Sequence, residues 1–300
     1  MSEQEFRAQF DARVEFSNGG RLEVSGFRID VPREDVSAED VGTLFIASLG
    51  LLMSSRVDVS QLTVFAEPHK GTRKGPSASG QPTGRLVDLS HVITDGLITY
   101  PGLPAPVITP HLTREASKGS YAPGTEFAID RISMVGNTGT YLDTPFHRYP
   151  GGHDLSGLPL ERITDLPTVV VRTLGSGTRA VDVGSLTSFD VRGHAVLLHT
   201  GGDADFATPA YASDAPFLTR RGAEWLAEHG AALVGIDSVN IDDTGDGSRP
   251  AHSVLLAADI PVVEHLTGLG QLPVHGARFT AAPPLIAGFG TFPVRAFARV

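Results

Sequence analysis

Four runs of consecutive apolar residues limit the fold of this chain more than any other feature: VVVRT at 169–173, AVLLH at 195–199, ALVGI at 232–236 and PVVEHL at 261–266. Each is too short for an ordinary helix, and none alternates like a strand with one wet face. They therefore read as buried or half-buried strands bounded by Gly, Pro and Asp. Between them, Thr219 is placed to cap a helix through RRGAEWLAEHG that ends at Gly230 in the left-handed position, and Pro250 is placed to start another through AHSVLLAAD. The pattern over residues 86–300 is α/β with more strand than helix.

The N-terminal part has a different rhythm. Residues 14–31 alternate apolar and polar around Ser17-Asn18-Gly19-Gly20, which is a hairpin signal because Asn and Gly tolerate positive φ. Ser37 precedes Asp40 by three residues, as in a capping box, and Val41, Leu44, Phe45, Leu49 and Leu52 repeat at helical spacing through 38–53. Arg56–Glu67 returns to strand character. The result is a small ββαβ unit over residues 1–67, near the lower size limit for independent folding, so it is expected to dock on the rest of the chain or on a second subunit. Residues 68–85, PHKGTRKGPSASGQPTGR, have no apolar period and read as a linker whose Lys70, Arg73, Lys74 and Arg85 face solvent. Residues 86–300 then form the larger domain.

Composition narrows the function. With 300 residues, 41% of them hydrophobic, the chain has ample material for a core. A net charge of −10 and the lack of a compact basic patch argue against nucleic acid or an anionic membrane as partner, leaving a small-molecule substrate as the expectation. The chain has no cysteine, which excludes thiolate nucleophiles and thiolate metal sites. The start, MSEQEFRAQFDARVEF, lacks the basic and apolar segments of a signal peptide, and no window approaches eighteen apolar residues, so a cytoplasmic location is expected.

Polar residues concentrate in GNTGTYLDTPFHRYPGG at 136–152, where Asn137, Tyr141, Asp143 and His147 fall within eleven residues. Gly139 leaves room for a turn or ligand, and Pro145 fixes the backbone between Asp143 and His147 so that both can point into one space. A carboxylate can orient an imidazole or bind a metal, and a neutral imidazole can take a proton. The plainer alternative is a turn in which Asp143 accepts backbone N–H groups beside a satisfied His147. Phe146 and Tyr149 would suit a planar substrate.

A second group comprises Asp237, Asp242, Asp243 and Asp246, then His252 and Glu264. The aspartates lack the ordered loop of a calcium-binding hand and read as a polar surface loop. His252 falls in the first turn of the second helix, and Glu264 sits inside a strand, where a carboxylate is costly unless paired. His153, His194, His199, His265 and His275 lack a companion at ligand spacing and read as surface or capped residues. No nucleophile elbow, phosphate loop or dinucleotide fingerprint is present.

Residues 86–300 resemble the cyclase family that includes bacterial kynurenine formamidases and isatin hydrolases, whose signature is H-x-G-T-H-x-D-x-P-x-H. The matching stretch runs from Asn137 to His147, and the resemblance continues through 86–104, 222–242 and 251–273. It implies an α/β protein with a barrel-like mixed β-sheet and flanking helices, assembled as a homodimer or homotetramer. In that family the two early histidines and the Asp bind a divalent metal, the last His is an acid/base, and a later His and Glu twelve residues apart complete the site. Asp143, His147, His252 and Glu264 match; Asn137 and Tyr141 stand where the early histidines would be.

Loss of two imidazoles weakens a transition-metal site. The expectation is therefore an enzyme acting on a small carbonyl metabolite by ring closure, elimination, isomerisation or ring opening, without a tightly bound metal. In it His147 or Glu264 moves a proton, Tyr141 donates one or meets an oxyanion, and Asn137 holds a carbonyl. The alternative is a hydrolase of an amide, formamide, lactone or lactam with Zn2+ or Mn2+ held by Asp143, His252 and Glu264. A third reading is a noncatalytic protein that keeps the pocket for ligand binding or assembly.

Overall fold

A computed structural model describes residues 5–17, 19–49, 54–67 and 84–300. Most of the expected linker, with Lys70, Arg73 and Lys74, lies outside them, as do Asn18 and Leu52. The chain divides into two compact units, Met1–Gln81 and Pro82–Val300.

In the first unit the order is β1 (Phe6–Phe16), β2 (Arg21–Val31), α1 (Ala38–Leu49) and β3 (Ser54–Ala66), the ββαβ order expected. The strands pair antiparallel as β2-β1-β3. Ser37 and Asp40 cap α1 reciprocally: the Asp40 N–H donates to Ser37 Oγ, and the Asp40 carboxylate accepts from Ser37. Phe10, Phe27 and Phe45 meet edge to face or tilted, with centroids 5.0–5.9 Å apart, and form the centre of a separate core.

The second unit begins with β4 (Leu86–Asp88), followed by β5 (Val107–Leu112), α2 (Arg114–Ser117), β6 (Ile129–Ser133), β7 (Tyr141–Asp143), β8 (Leu166–Arg172), β9 (Ala180–Val181) and β10 (Ala195–His199). It continues through β11 (Phe217–Leu218), α3 (Arg220–Glu228), β12 (Leu233–Ile236), α4 (Pro250–Ala257), β13 (Val262–Glu264), β14 (His275–Thr280), β15 (Thr291–Pro293) and β16 (Phe297–Arg299). Nine strands form one curled, half-barrel mixed sheet in the order β15-β7-β13-β12-β10-β8-β14-β16-β4. The four apolar runs are its parallel centre, β13-β12-β10-β8, and antiparallel strands flank it on both sides.

Both faces of that centre are covered, which explains why its sequences do not alternate. Val170, Ala195, Leu197, Leu233 and Val263 pack on one face with Phe279 and Leu269. Val169, Val171, Val196, Leu198, Val234, Ile236 and Val262 pack on the other against Leu226 of α3 and Leu255 of α4. Thr219 caps α3 by accepting the Gly222 N–H, and Pro250 opens α4 at its first position. Among the described residues no helix is long and apolar enough to cross a membrane.

The loops that carry the polar signature are fixed by close backbone approach. A Cβ on Gly290 would overlap the backbone nitrogen of His147, so glycine is required there for β15 to pass beside that residue. Gly290→Ala is expected to lower stability by roughly 1–3 kcal/mol, as overpacking does, whereas Gly184→Ala, with open space around it, leaves stability unchanged. Urea midpoints of the two variants check this.

Candidate active site

The register of three short strands brings the polar residues together. In the antiparallel pair of β13 and β7, Glu264 lies opposite Tyr141; in that of β15 and β7, Thr291 lies opposite Asp143. Tyr141 and Asp143 are two residues apart and so share a face, while Leu142 between them enters the core on the other. The first turn of α4 adds His252, and the short 3-10 turn Pro145–His147 adds His147.

Asp143 is fully buried. Thr291 donates its hydroxyl proton to Asp143 Oδ1 and lies 2.7 Å from His147 Nδ1. A hydroxyl has one proton, so His147 Nδ1 must donate to Thr291 Oγ1. That bond fixes the neutral tautomer of His147 and leaves its Nε2 as the basic nitrogen. Burial alone would raise the Asp143 carboxyl, but His252, His147 and Thr291 outweigh it and hold the group below the ordinary carboxylate value. Asp143 Oδ2 is buried without a hydrogen-bond partner among the described residues.

His252 faces that orphan oxygen. Its Nδ1 donates to Asp242 Oδ2 at 2.7 Å, which turns Nε2 inward. Nε2 lies 3.5 Å from Asp143 Oδ2 and 3.5 Å from Glu264 Oε1. Burial opposes a charge on the imidazole, yet Glu264, Asp143 and Asp242 together hold its pKa well above the ordinary histidine range. Burial, with the charge of Asp143, pushes Glu264 up to about 7 against the pull of His252.

Tyr141 is saturated rather than free. Its hydroxyl donates to Glu264 Oε2 at 2.7 Å and accepts from Asn137 and from His265 Nε2, the latter at 3.1 Å. Because Nε2 of His265 carries the proton, Nδ1 accepts, and Tyr211 donates to it at 2.8 Å. A buried relay therefore runs Tyr211 to His265 to Tyr141 to Glu264. Burial, with Glu264 and other nearby carboxylates, pushes both phenols well above their ordinary values. Tyr141 is thus an anchored donor to Glu264, and the expected role as a proton donor or oxyanion partner for substrate does not fit its bonding.

Three expectations are corrected by burial. His265 is a fully buried link of the relay, pushed down to about 3 by burial and by the neighbouring His91. Asp237 and Asp242 are buried and do not belong to a surface loop: Asp237 accepts from Thr200 and Gly201, and Asp242 accepts from the first N–H groups of α4 as well as from His252. Tyr149 turns to the helix, its hydroxyl donating to the Ser253 carbonyl. Neither it nor Phe146 lines the main pocket, a cavity of about 470 Å³ whose apolar wall is Tyr100, Pro101 and Leu103. Asn137, Tyr141, His147, His252 and Glu264 all line that cavity.

Asp143, His147 and His252 can place ligand atoms within 4.8 Å of one another, a group able to hold a metal ion. The cyclase family's sequence model matches residues 87–243, just over half of the chain. The chain belongs to the cyclase family. Kynurenine formamidases of Bordetella petrii and Geobacillus thermodenitrificans are 28% and 27% identical to this cyclase-family chain over 72% and 71% of it, covering 98% and 96% of their own lengths. The isatin hydrolase bound to the product analogue thioisatinate has TM-score 0.62 at 21% identity, covering 72% of this chain and 92% of its own. Isatin hydrolase A from Labrenzia aggregata has TM-score 0.62 at 24% identity, covering 74% of this chain and 97% of its own. These structures share the fold, and the chain is a hydrolase-like enzyme of the cyclase family.

Two measurements test this geometry. Thr291→Val keeps the shape but removes the acceptor for His147; it is expected to shift the imidazole 15N spectrum away from the Nδ1–H tautomer and to lower turnover about 10- to 100-fold, with Thr291→Ser restoring both. His91, stacked on Phe206 with ring centroids 3.5 Å apart, is pushed down to about 4 by burial against the opposing charge of Asp203. The unfolded chain binds a proton there below pH 6.5 that the folded chain refuses, so stability falls as pH drops from 6.5 toward 4, by at most roughly 3 kcal/mol and less after solvent screening. His91→Phe, which keeps the stack, is expected to show a smaller acid loss in urea titrations at pH 7.5 and 5.

Proposed function

We propose that this enzyme hydrolyses an acyl C–N or C–O bond, as in an amide, formamide, lactone or lactam, of a small carbonyl compound. We further propose that Asp143, His252 and Glu264 hold one divalent cation, Zn2+ or Mn2+. The observation that carries the second point is the spacing around His252 Nε2. At 3.5 Å from each of two buried carboxylate oxygens, it is too far for charge-assisted hydrogen bonds of about 2.7–2.9 Å. Each of these two pairs matches donors sharing one ion, since ligand distances near 2.1 Å at a tetrahedral angle separate donor atoms by about 3.4 Å; Asp143 and His252 also belong to the group whose ligand atoms lie within 4.8 Å of one another, while Glu264 lies outside that group and joins it through His252 Nε2. The unpartnered Asp143 Oδ2 and the inward Nε2, oriented from behind by Asp242, fit such a ligand set.

A cation there would polarise the scissile carbonyl and lower the pKa of water. The remaining steps belong to side chains. His147 Nε2 takes a proton from the attacking water and returns it to the leaving nitrogen or oxygen, so its Nδ1 bond to Thr291 keeps the basic atom on the pocket side. Asn137 and the anchored Tyr141 occupy the wall where two further imidazoles would stand; their bonds to each other and to His265 hold Glu264 in place. The cation-free acid/base reading uses the same His147 and is decided by the measurement below.

We propose that the enzyme is a homo-oligomer. The hairpin of β5 and β6 is solvent-exposed along almost its whole length, and Val107, Ile108, Ile129, Ile132 and Phe127 leave apolar surface on it. A two-stranded pair is marginal in water by itself, and exposed apolar side chains on both of its faces suit an interface, which supports a homodimer or homotetramer.

Protein purified without chelator is expected to contain about one equivalent of zinc or manganese per chain by elemental analysis. Chelation should remove the ion together with hydrolysis of a simple formamide such as formanilide, and re-addition should restore both. Full activity at negligible metal content would instead assign the reaction to side-chain acid/base catalysis.

A further inference from the structure

Buried Glu264 and His252 line the pocket, with Asp143 Oδ2 3.5 Å from His252 Nε2, and at its solvent-facing mouth stand two arginines, exposed Arg148 and half-buried Arg249. In the same unit six other arginines have a carboxylate oxygen within 4.0 Å, for example Arg278 with Asp165 at 2.8 Å. Arg148 and Arg249 have no such partner among the described residues, in a chain whose net charge is −10; Arg114, Arg131, Arg172, Arg192 and Arg299 lack one too, but of these seven only Arg148 and Arg249 line the pocket. Arg249 makes only long bonds to neutral acceptors: Nη1 to Asn240 Oδ1 at 3.4 Å and to the Asp243 carbonyl at 3.3 Å, and Nη2 to the Tyr100 hydroxyl at 3.4 Å. The carboxylates of Asp243 and Asp246 are turned elsewhere, to Arg179 and to the Ser248 N–H.

The backbone holds these guanidinium groups in place. Arg249 sits at φ 47°, ψ 61°, a left-handed conformation that is costly for a non-glycine residue and more so before a proline. It immediately precedes α4, three residues before His252. Arg148 follows His147 directly, lies over the Tyr149 ring at 5.3 Å, and donates from Nε to Ser253 Oγ at 3.4 Å, while Ser253 Oγ donates to the Arg249 carbonyl at 2.8 Å. One serine in the first turn of α4 thus ties both arginine segments together.

We infer that this mouth is a subsite for a carboxylate of the substrate, bound by Arg249 and Arg148. The inference deepens the hydrolase reading and rests on it for the position of the reacting bond. A planar molecule lying along Tyr100 and Leu103 would place its carboxylate at the guanidinium groups, where planar forks match carboxylate geometry. Its carbonyl would then lie toward His147 and His252.

The test measures binding of benzoate and its neutral isostere benzamide to the full chain by calorimetry. Benzoate is expected to bind about tenfold more tightly, and Arg249→Gln to weaken benzoate about tenfold while leaving benzamide unchanged. Arg148→Gln, at an exposed position, is expected to weaken benzoate by a smaller factor; should Arg249→Gln unfold, as circular dichroism would reveal, Arg148→Gln decides alone. Equal binding of the two probes, no benzoate binding, or benzoate affinity untouched by a folded arginine variant overturns the subsite. An arginine-dependent preference for benzoate in a protein that hydrolyses no formamide or lactone would remove the hydrolase reading and leave the subsite standing.

Discussion

Asp143, Glu264 and Asp242 surround a single imidazole, His252, with almost no contact with water. Taking a carboxylate out of water costs several kcal/mol even after relaxation, so such a cluster persists only if positive charge is supplied in its midst. Much of the surrounding structure is arranged around that constraint. Asp242 is satisfied by the first N–H groups of α4 and by His252 Nδ1, Glu264 by Tyr141 and the Ile241 N–H, and Asp143 by Thr291 on one oxygen only. The carboxylates favour a proton on His252, and the unsatisfied oxygen and the inward Nε2 mark where we propose that a cation takes its place.

The Tyr211–His265–Tyr141–Glu264 relay is the second consequence. Tyr141 replaces a histidine of the family signature, yet the site does not open there, because the phenol is bonded on every side. A neutral His265 is essential to the relay: protonated, it would need a second acceptor at Nδ1, where Tyr211 now donates. Burial keeps it neutral, and the relay in turn anchors Glu264 with Oε1 3.5 Å from His252 Nε2.

How much of this was legible in the sequence differed from strand to strand. AVLLH at 195–199 became β10 unchanged, and the other apolar runs are the remaining strands of the parallel centre, since burial on both faces leaves a local record. The ββαβ unit was visible for a similar reason. Asp143, His147, His252 and Glu264 stood out by their neighbours and their cost of burial and were then matched by resemblance; His147, His252 and Glu264 line one cavity, and Asp143 lies 3.5 Å from His252 behind it. Thr291, Asp242 and His265 were missed because their partners are fixed by register: Thr291 reaches Asp143 only because a three-residue strand pairs with another 148 positions away. A threonine opposite an aspartate has no signature in one dimension. His265 was discounted for lack of a neighbour at ligand spacing, and its neighbours are Tyr141, brought in by the sheet, and Tyr211, from the 3-10 turn Pro209–Ala212.

We propose that the charge balancing this buried cluster is a single metal ion. Anomalous diffraction from a crystal grown with zinc or manganese, recorded across the absorption edge, tests it most directly. One peak is expected, bounded by Asp143 Oδ2, His252 Nε2 and Glu264 Oε1, with Tyr141 still bonded to Glu264. Absence of a peak there, with His252 Nε2 closing to direct hydrogen-bond distance of a carboxylate, would contradict it.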